Sequence, residues 1–235
     1  MAGRAPLHER ASVNAARGRA GPGGPAKTVS ARMCETGVPT RKQVTALAAA
    51  LAGDRTTDWV ARTKALSELR EMVAAAVTAD APLAQMCKWV AAFLVPLQIQ
   101  LTESRSSVFK DTCSTVVAIV EALGTLYDAS AVTMLPMLYE HSGSTTGVMS
   151  SSAAVSCMMT IMTHCRGEGL CFAAVMTQAM EYKGAGIRAH CMSVVAEAIA
   201  TWTEEELSAH LSALCSGLQT AKQDSNNGVR MYARK

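Results

Sequence analysis

The stretch Asp54-Arg-Thr-Thr-Asp-Trp-Val-Ala-Arg-Thr-Lys-Ala-Leu66 decides the fold of this chain. A polar turn leads to Asp58 (or Thr57), a residue type that caps helix N-termini, and an amphipathic helix is predicted from there to about Val77. Trp59 stands at the very start of this helix, where a core tryptophan would be oddly placed. Two interpretations stay open for Trp59: an exposed binding anchor, or a buried plug between helices.

The same plan of apolar helix, polar turn and second helix recurs along the chain. When Trp59, Val108, Val148, Ile187 and Val229 are placed in one column, the intervals are 49, 40, 39 and 42 residues, and each member follows a short polar turn. The residues four positions later are small or β-branched, and small residues there permit close helix crossing. Helix pairs that recur at about 40–47 residues are typical of HEAT and armadillo arrays.

The hydrophobic period and the turn signals predict where the helices lie. They predict a first helix that Gly53 ends, helices over 58–77, 82–101, 107–123, 128–141, 147–164, 167–182, 187–202 and 203–221, and a restart at Val229. Pro96 is predicted to kink the third helix, Pro136 lies inside the fifth, and Thr203-Glu-Glu-Glu206 forms a capping box.

Composition agrees with an all-α architecture. The chain is 49% hydrophobic, and only ten of its 235 residues are aromatic, which suits many helices packed through small and flexible side chains and not a β-sandwich. We therefore predict an all-α HEAT-repeat array, an α-solenoid paddle of five to six helix pairs. Because the sequence stops at Arg234-Lys235, inside the opening of a helix, the last repeat is predicted to be truncated.

Charge divides the chain into two parts. Residues 1–42 carry eight Lys or Arg and two acidic residues, whereas residues 43–235 carry fourteen and seventeen. Residues 1–40 are predicted to be a disordered basic tail rich in Ala, Gly, Pro and Arg, and residues 41–235 the folded domain. The tail is interpreted as a solvated leader, a basic arm for an acidic partner or a transit peptide. The net acidic folded part is not predicted to bind nucleic acid.

The sequence gives little support for an enzyme. Phosphate-binding, metalloprotease and serine-hydrolase motifs are absent, and the eight cysteines contain no C-x-x-C pair. His164 and Cys165 with Cys157 and Cys171 fit no common zinc spacing, so buried reduced thiols are favoured over a metal site. We expect no catalysis, no metal and no cofactor. No run of about 18 apolar residues is present, so no membrane span is expected.

The turns within the helix pairs carry the residues of most interest. In a repeat array these turns stack along one edge, and we call the edge formed by them and by the first turns of the following helices the turn ridge. Its predicted members are Trp59, Arg105, Ser106, Lys110, Thr145, Thr146, Met149, Lys183, Arg188, Arg230, Arg234 and Lys235. Seven are basic and one is aromatic, which favours an interface with an acidic protein.

These turns resemble those of one family. Asp58-Trp59-x-x-Arg62-x-x-Ala65-Leu66 is similar to the opening repeat of a TOG domain, and Leu101-x-Glu-Ser-Arg105-Ser106-x-Val108 to the second repeat of the CLASP type. The elements Val148-Met149-x-x-Ser-Ala153 and Asp224-x-x-x-x-Val229-Arg230-x-x-Ala233-Arg234-Lys235 resemble the third and fifth repeats. The likeness covers residues 40–235.

The resemblance implies a six-repeat paddle that binds αβ-tubulin or the microtubule lattice and favours rescue over catastrophe. Carried over by position, the tubulin contacts are Trp59 from the first turn, Arg105, Ser106 and Lys110 from the second, Met149 from the third, Lys183 and Arg188 from the fourth, and Arg230, Arg234 and Lys235 from the fifth. The third turn departs from the family pattern, because Gly147 stands where a basic residue is common. This departure bears on affinity and not on the fold.

Two other functions stay open beside tubulin binding. One is a HEAT scaffold that docks other proteins, such as kinetochore or ciliary adaptors, and the other is a thiol- or zinc-dependent enzyme. The leading hypothesis places the protein in the cytoplasm on microtubules and the spindle, with no nucleic acid or membrane partner. Kinetochore or plus-end proteins would bind through regions outside this chain.

Overall fold

The computed structural model describes residues 38–53, 58–143 and 147–235, and secondary structure within these ranges is helical. The helices are α1 (Arg41–Leu51), α2 (Trp59–Thr78), α3 (Leu83–Val90), α4 (Leu94–Leu101), α5 (Ser106–Leu123), α6 (Asp128–Val132), α7 (Leu135–Ser142), α8 (Val148–His164), α9 (Leu170–Glu181), α10 (Ala185–Thr201), α11 (Glu204–Ser208), α12 (Leu211–Ala221) and α13 (Asn227–Tyr232). Short 3₁₀ turns cover Ala91–Phe93 and Gly124–Tyr127.

The helices form two layers, as expected for a solenoid of helix pairs. In one layer α2, α5, α8, α10 and α13 contact each other in that order, and in the other α1, α4, α7, α9 and α12 do the same. Within a pair the chain runs up one layer and down the other through a short turn. All helices of the first layer therefore begin at the same edge of the molecule, which is the turn ridge.

Side-chain caps explain where several helices begin. Thr40 and Gln43 form a capping box at α1. At α2 the predicted cap Asp58 accepts the Ala61 N–H. The predicted capping box of Thr203 and Glu206 is confirmed at α11. The predicted tail of residues 1–40 lies outside the described residues up to position 37, and Thr57 lies outside them as well.

Three predicted helices are broken, including the third, for which a kink at Pro96 is predicted. The helix with Pro96 divides at Ala91–Phe93, because a proline removes a hydrogen-bond donor and crowds the turn before it. The helix with Pro136 divides at Thr133 and Met134 for the same reason.

The predicted helix over 203–221 has no proline and still divides before His210. The His210 ring lies 4.9 Å from the ring of Phe172 and 6.2 Å from that of Trp202. Gly169, at φ 67°, leaves room for this ring, since a Cβ there would come within 2.2 Å of His210 Nε2. Tertiary packing of His210 therefore accompanies this break.

The column of first-layer residues is out of register in two repeats. Val108, Ile187 and Val229 are the third residues of their helices and are buried, whereas Trp59 and Val148 are the first residues of theirs and are 42% and 77% exposed. The prediction that these five positions are equivalent is therefore wrong for the first and third repeats. The buried small positions that do correspond are Ala65, Thr112, Ala154, Cys191 and Ala233.

Helix α5 is the second helix of its layer and lies between α2 and α8. By length and composition alone, the helical stretch Ser106–Val132 is long and apolar enough to cross a membrane, which the search for one unbroken apolar run did not detect. Of its apolar residues, Phe109, Val116 and Ile119 are buried within the protein, whereas Leu126 is 58% exposed. Buried apolar residues of this kind are typical of a core helix in a repeat array.

Candidate protein-binding ridge

Trp59 and Arg105 lie together at the first two turns of the ridge. Trp59 is exposed, and the Arg105 guanidinium carbon lies 5.8 Å from the centre of its ring, within the range of a cation–π contact. Trp89 and Trp202 are buried. The structure therefore places Trp59 at the surface and not between helices, and it places Trp59 and Arg105 on one face where a single partner could contact both.

A buried ion pair lies directly beneath these two side chains. Arg62 is 1% exposed, and its Nη1 donates to Glu103 Oε2 at 2.7 Å and to Gln100 Oε1 at 2.8 Å. The other oxygen of Glu103 accepts the backbone N–H of Arg105 at 3.2 Å. Burial by itself raises the pKa of the Glu103 carboxyl, but the hydrogen bonds and the charge of Arg62 outweigh burial and hold this pKa below its ordinary value.

The second turn carries Ser106 and Lys110. Ser106 is the first residue of α5 and is exposed, and Lys110 follows one turn later and is half-buried. Beside Ser106 a groove of about 630 Å³ separates the second and third turns, and its lining includes His141. The His141 ring stacks on Phe109 at 3.8 Å between centres.

The third turn presents apolar side chains. Val148 and Met149, the first two residues of α8, are 77% and 63% exposed. Met149 therefore lies where the sequence predicts it, and Val148 accompanies it at the surface. Thr145 and Thr146, two other predicted members of the ridge, lie outside the described residues.

The two residues predicted as contacts in the fourth turn differ in their exposure to solvent. Lys183 is exposed, but Arg188 is held inside the protein by Asp224 of the fifth pair. Arg188 Nε and Nη2 donate to the two oxygens of Asp224 at 2.8 and 3.0 Å, and Nη1 donates to the carbonyl of Tyr182 at 2.8 Å. The hydrogen bonds from Arg188 hold the pKa of the Asp224 carboxyl below its ordinary value.

The fifth turn shows the same arrangement at Arg230. Its Nη1 donates to the carbonyls of Asp224 and Ser225 at 2.6 and 2.9 Å. In the fourth turn Nη1 of Arg188 donates to the carbonyl of Tyr182 in the same way. Arg234 and Lys235 are exposed beyond α13. Within the described ranges, the ion pairs of the protein involve neither these two residues nor Lys183.

The sequence alone did not distinguish the arginines that bond within the protein from the cations that are exposed to solvent. Arg62, Arg188 and Arg230 are each the fourth residue of a first-layer helix. Glu103 and Asp224, which pair with the first two, each precede the next helix cap by two residues. An arginine four residues into a helix, with an acidic residue 36 or 41 positions later, is the signal that identifies such a pair.

Most of the described cysteines lie in the interior. Among the described residues Cys113, Cys157, Cys165, Cys171 and Cys191 are buried free thiols, and Cys215 is exposed. Burial raises the pKa of the Cys191 thiol to about 12, which makes it a poor nucleophile. The part of the chain that the structure describes contains no cluster of three or more His, Cys, Asp or Glu residues arranged to hold a metal ion.

The architecture and the exposed edge define an α-solenoid of helix pairs with a loop-built surface suited to binding a protein. Comparison with known families assigns it more closely, because the family described as CLASP N terminal matches residues 40–235. The chain belongs to this family.

Curated relatives agree with the family match. CLIP-associating protein 1-B of Xenopus laevis is 24% identical over 179 residues, and CLIP-associating protein 1 of Xenopus tropicalis is 23% identical over 180 residues. Each match covers 76% of this chain and 12% of the relative, so the chain corresponds to a small part of these longer proteins.

The buried pair of Arg62 and Glu103 is expected to couple the first two repeats energetically. Glu103→Leu leaves a buried guanidinium without its carboxylate and should lower the free energy of unfolding by about 3–5 kcal/mol. The double variant with Arg62→Met should lose at least about 1 kcal/mol less than the sum of the two single variants. Urea unfolding of the four proteins measures this coupling.

The exposed pair of Lys64 and Glu68 is the matched control, because it joins residues of one helix at the surface. Its substitution by Met and Leu should change stability by less than about 0.5 kcal/mol. Additive losses at Arg62 and Glu103 would show that the buried pair does not couple the repeats.

Asp224 should make stability depend on pH on the acid side. Because the folded state lowers its pKa, its contribution is complete above the ordinary aspartate pKa of 3.8 and is lost as the pH falls through the lower folded value. Asp224→Asn should therefore show a smaller fall in melting temperature than wild type between about pH 5 and pH 3. Parallel curves for the two proteins would mean that Arg188 does not stabilise the ionised carboxylate.

Proposed function

We propose that this chain is a TOG-type module that binds αβ-tubulin or the microtubule lattice through the turn ridge. The single observation that carries the proposal is the exposed Trp59 with Arg105 beside it at the first two turns. Aromatic and arginine side chains are the usual anchors of protein interfaces. Membership of the CLASP N-terminal family and the resemblance of the turns support tubulin as the partner.

The exposed cations supply the second part of the proposed interface. Lys183, Arg234 and Lys235 lie at the fourth and fifth turns, where they would attract an acidic surface. Arg188 and Arg230 are used largely within the protein, so we assign them mainly to shaping these turns. Ser106 and Lys110 would complete the contact at the second turn.

The proposed mechanism is a difference in affinity between tubulin conformations. A ridge held by buried ion pairs has a fixed curvature, so it would bind better to tubulin of matching curvature and shift the population towards it. In a longer protein such modules would favour rescue and suppress catastrophe, with a location on microtubules and the spindle in the cytoplasm. Kinetochore or plus-end partners would bind elsewhere in that protein.

Tubulin binding is tested by co-migration of the purified chain with soluble tubulin. Trp59→Ala removes a large exposed anchor and should weaken binding at least about tenfold, since anchors of this kind cost about 2 kcal/mol or more on truncation. Lys183→Ala should weaken binding less, because it removes one solvated charge.

Two substitutions away from the ridge are matched controls. Leu126→Ala removes an apolar side chain that is 58% exposed at the opposite edge, and Lys88→Ala removes an exposed cation on α3. Both should bind as wild type does. If wild type fails to bind tubulin, or if Trp59→Ala binds equally well, the ridge does not act as proposed, and a scaffold for other proteins becomes the better hypothesis.

A further inference from the structure

Three exposed leucines lie on the edge of the molecule that faces away from the turn ridge, which we call the opposite edge. It consists of the loops that join one helix pair to the next, because first-layer helices end there and second-layer helices begin there. Leu126 is 58% exposed, Leu170 is 40% exposed and Leu211 is 54% exposed. Leu170 and Leu211 are the first residues of α9 and α12, so they occupy corresponding places in neighbouring repeats.

The loops that carry these leucines pack against one another. Cys165 Sγ donates to the carbonyl oxygen of Gly124 at 3.7 Å, which joins the loop before α9 to the loop before α6. A Cβ on Gly169 would lie 2.2 Å from Nε2 of His210, so the loop before α9 also touches the residue that precedes α12. The leucines therefore belong to one continuous surface, and exposed apolar groups on a continuous surface are typical of a protein interaction site.

The charges that remain unpaired on this surface are acidic. Glu168, Glu204 and Glu205 are exposed, and they take no part in the ion pairs found among the described residues. Arg166, the arginine of these loops, pairs with Glu206 at 3.2 Å. The opposite edge at the fourth and fifth pairs therefore combines apolar side chains with a net negative charge.

The first helix pair limits how far this acidic surface extends. Arg41 and Lys42, the first two residues of α1, are exposed at the same edge. A cationic partner would meet repulsion there, so its place is at the loops before α9 and α11.

The turn ridge of the same molecule has the complementary chemistry. Lys183 and Lys222 are exposed at the fourth and fifth turns, and Arg234 is exposed beyond α13. Glu181 is an exposed acidic residue beside Lys183, and the three cations outweigh it. The exposed apolar start of α8 lies next to these turns. Each molecule thus has a cationic and apolar surface at one edge and an acidic and apolar surface at the other.

We propose that a second copy of this chain docks on the opposite edge, with the fourth and fifth turns of its ridge over Glu168, Glu204 and Glu205. The leucines meet exposed apolar side chains of that ridge. Because the two surfaces differ and lie at opposite edges of one molecule, the contact is heterologous and repeats head to tail. A docked copy has these turns covered, so self-association and the binding of another ridge partner exclude each other there.

Self-association is measured by sedimentation equilibrium of the purified chain without tubulin. The average mass should rise as the protein concentration is raised to about 0.5 mM, a range that detects weak contacts. It should fall towards the mass of the monomer as potassium chloride is added, because exposed charges across an interface are screened by salt.

Two double variants alter the opposite edge. The glutamate variant, Glu204→Lys with Glu205→Lys, replaces attraction by repulsion and should weaken association at least about tenfold. The leucine variant, Leu126→Ser with Leu211→Ser, should weaken it by a similar factor at every salt concentration, because apolar burial is not screened. Lys88→Glu reverses an exposed charge on α3, away from both surfaces, and should associate as wild type does.

Mixtures of variants test which surfaces meet. The ridge variant, Lys183→Glu with Lys222→Glu, should by itself also associate at least about tenfold more weakly than wild type. A mixture of the ridge variant and the glutamate variant should recover association, because each copy supplies the surface that the other lacks. A mixture of the glutamate and leucine variants should not recover it, since neither copy has an intact opposite edge.

The outcomes decide the proposal without reference to tubulin. If wild type stays monomeric up to about 0.5 mM, docking of a second copy is refuted, and a basic segment of another protein becomes the better occupant of the opposite edge. If the glutamate variant associates as wild type does, or if both mixtures recover association equally, the assignment of surfaces is refuted. The substituted residues are exposed, so melting temperatures should equal that of wild type, which removes misfolding as an explanation.

Discussion

A carboxylate that a turn shields from most of the solvent must find partners, and the ridge is organised around this requirement in its second and fifth turns. Glu103 and Asp224 each accept the backbone N–H of the helix cap two positions later and a guanidinium from the preceding repeat. Because an unpaired buried charge is very unfavourable, the turn, the helix start and the neighbouring repeat are positioned together.

In this arrangement the backbone and the side chain of Arg105 have different roles. The backbone of Arg105 is held by Glu103, whereas its side chain lies at the surface over Trp59. A side chain that is already placed loses less freedom on binding, which improves affinity without any further contact. At α8 the fourth residue is Ser151, which bonds within its own repeat to the carbonyl of Ser142, so the middle of the ridge lacks the ion pair that joins the repeats near either end.

The repeat period was sufficient to predict an all-α solenoid, its order of helices and the edge on which the turns lie. The exposed positions were less predictable, because helix starts vary by two residues between repeats. Trp59 and Val148 occupy first positions and are exposed, whereas Val108 in the same sequence column is buried. At α2 the Asp58 cap sets the start, and the period of a whole repeat is too coarse to detect a shift of this size.

Counting basic residues in the turns overestimates the charge that a partner meets. Of the arginines predicted for the fourth and fifth turns, Arg188 donates to both oxygens of Asp224 and Arg230 to two carbonyls of its own turn. An ion pair has little net charge at a distance, so Arg188 adds little long-range attraction. In the proposed interface, long-range attraction would come from exposed cations such as Lys183, and close contact would depend on exposed apolar surface. The exposed apolar residues at the starts of α2 and α8 would therefore matter more to such an interface than Arg188 and Arg230 do.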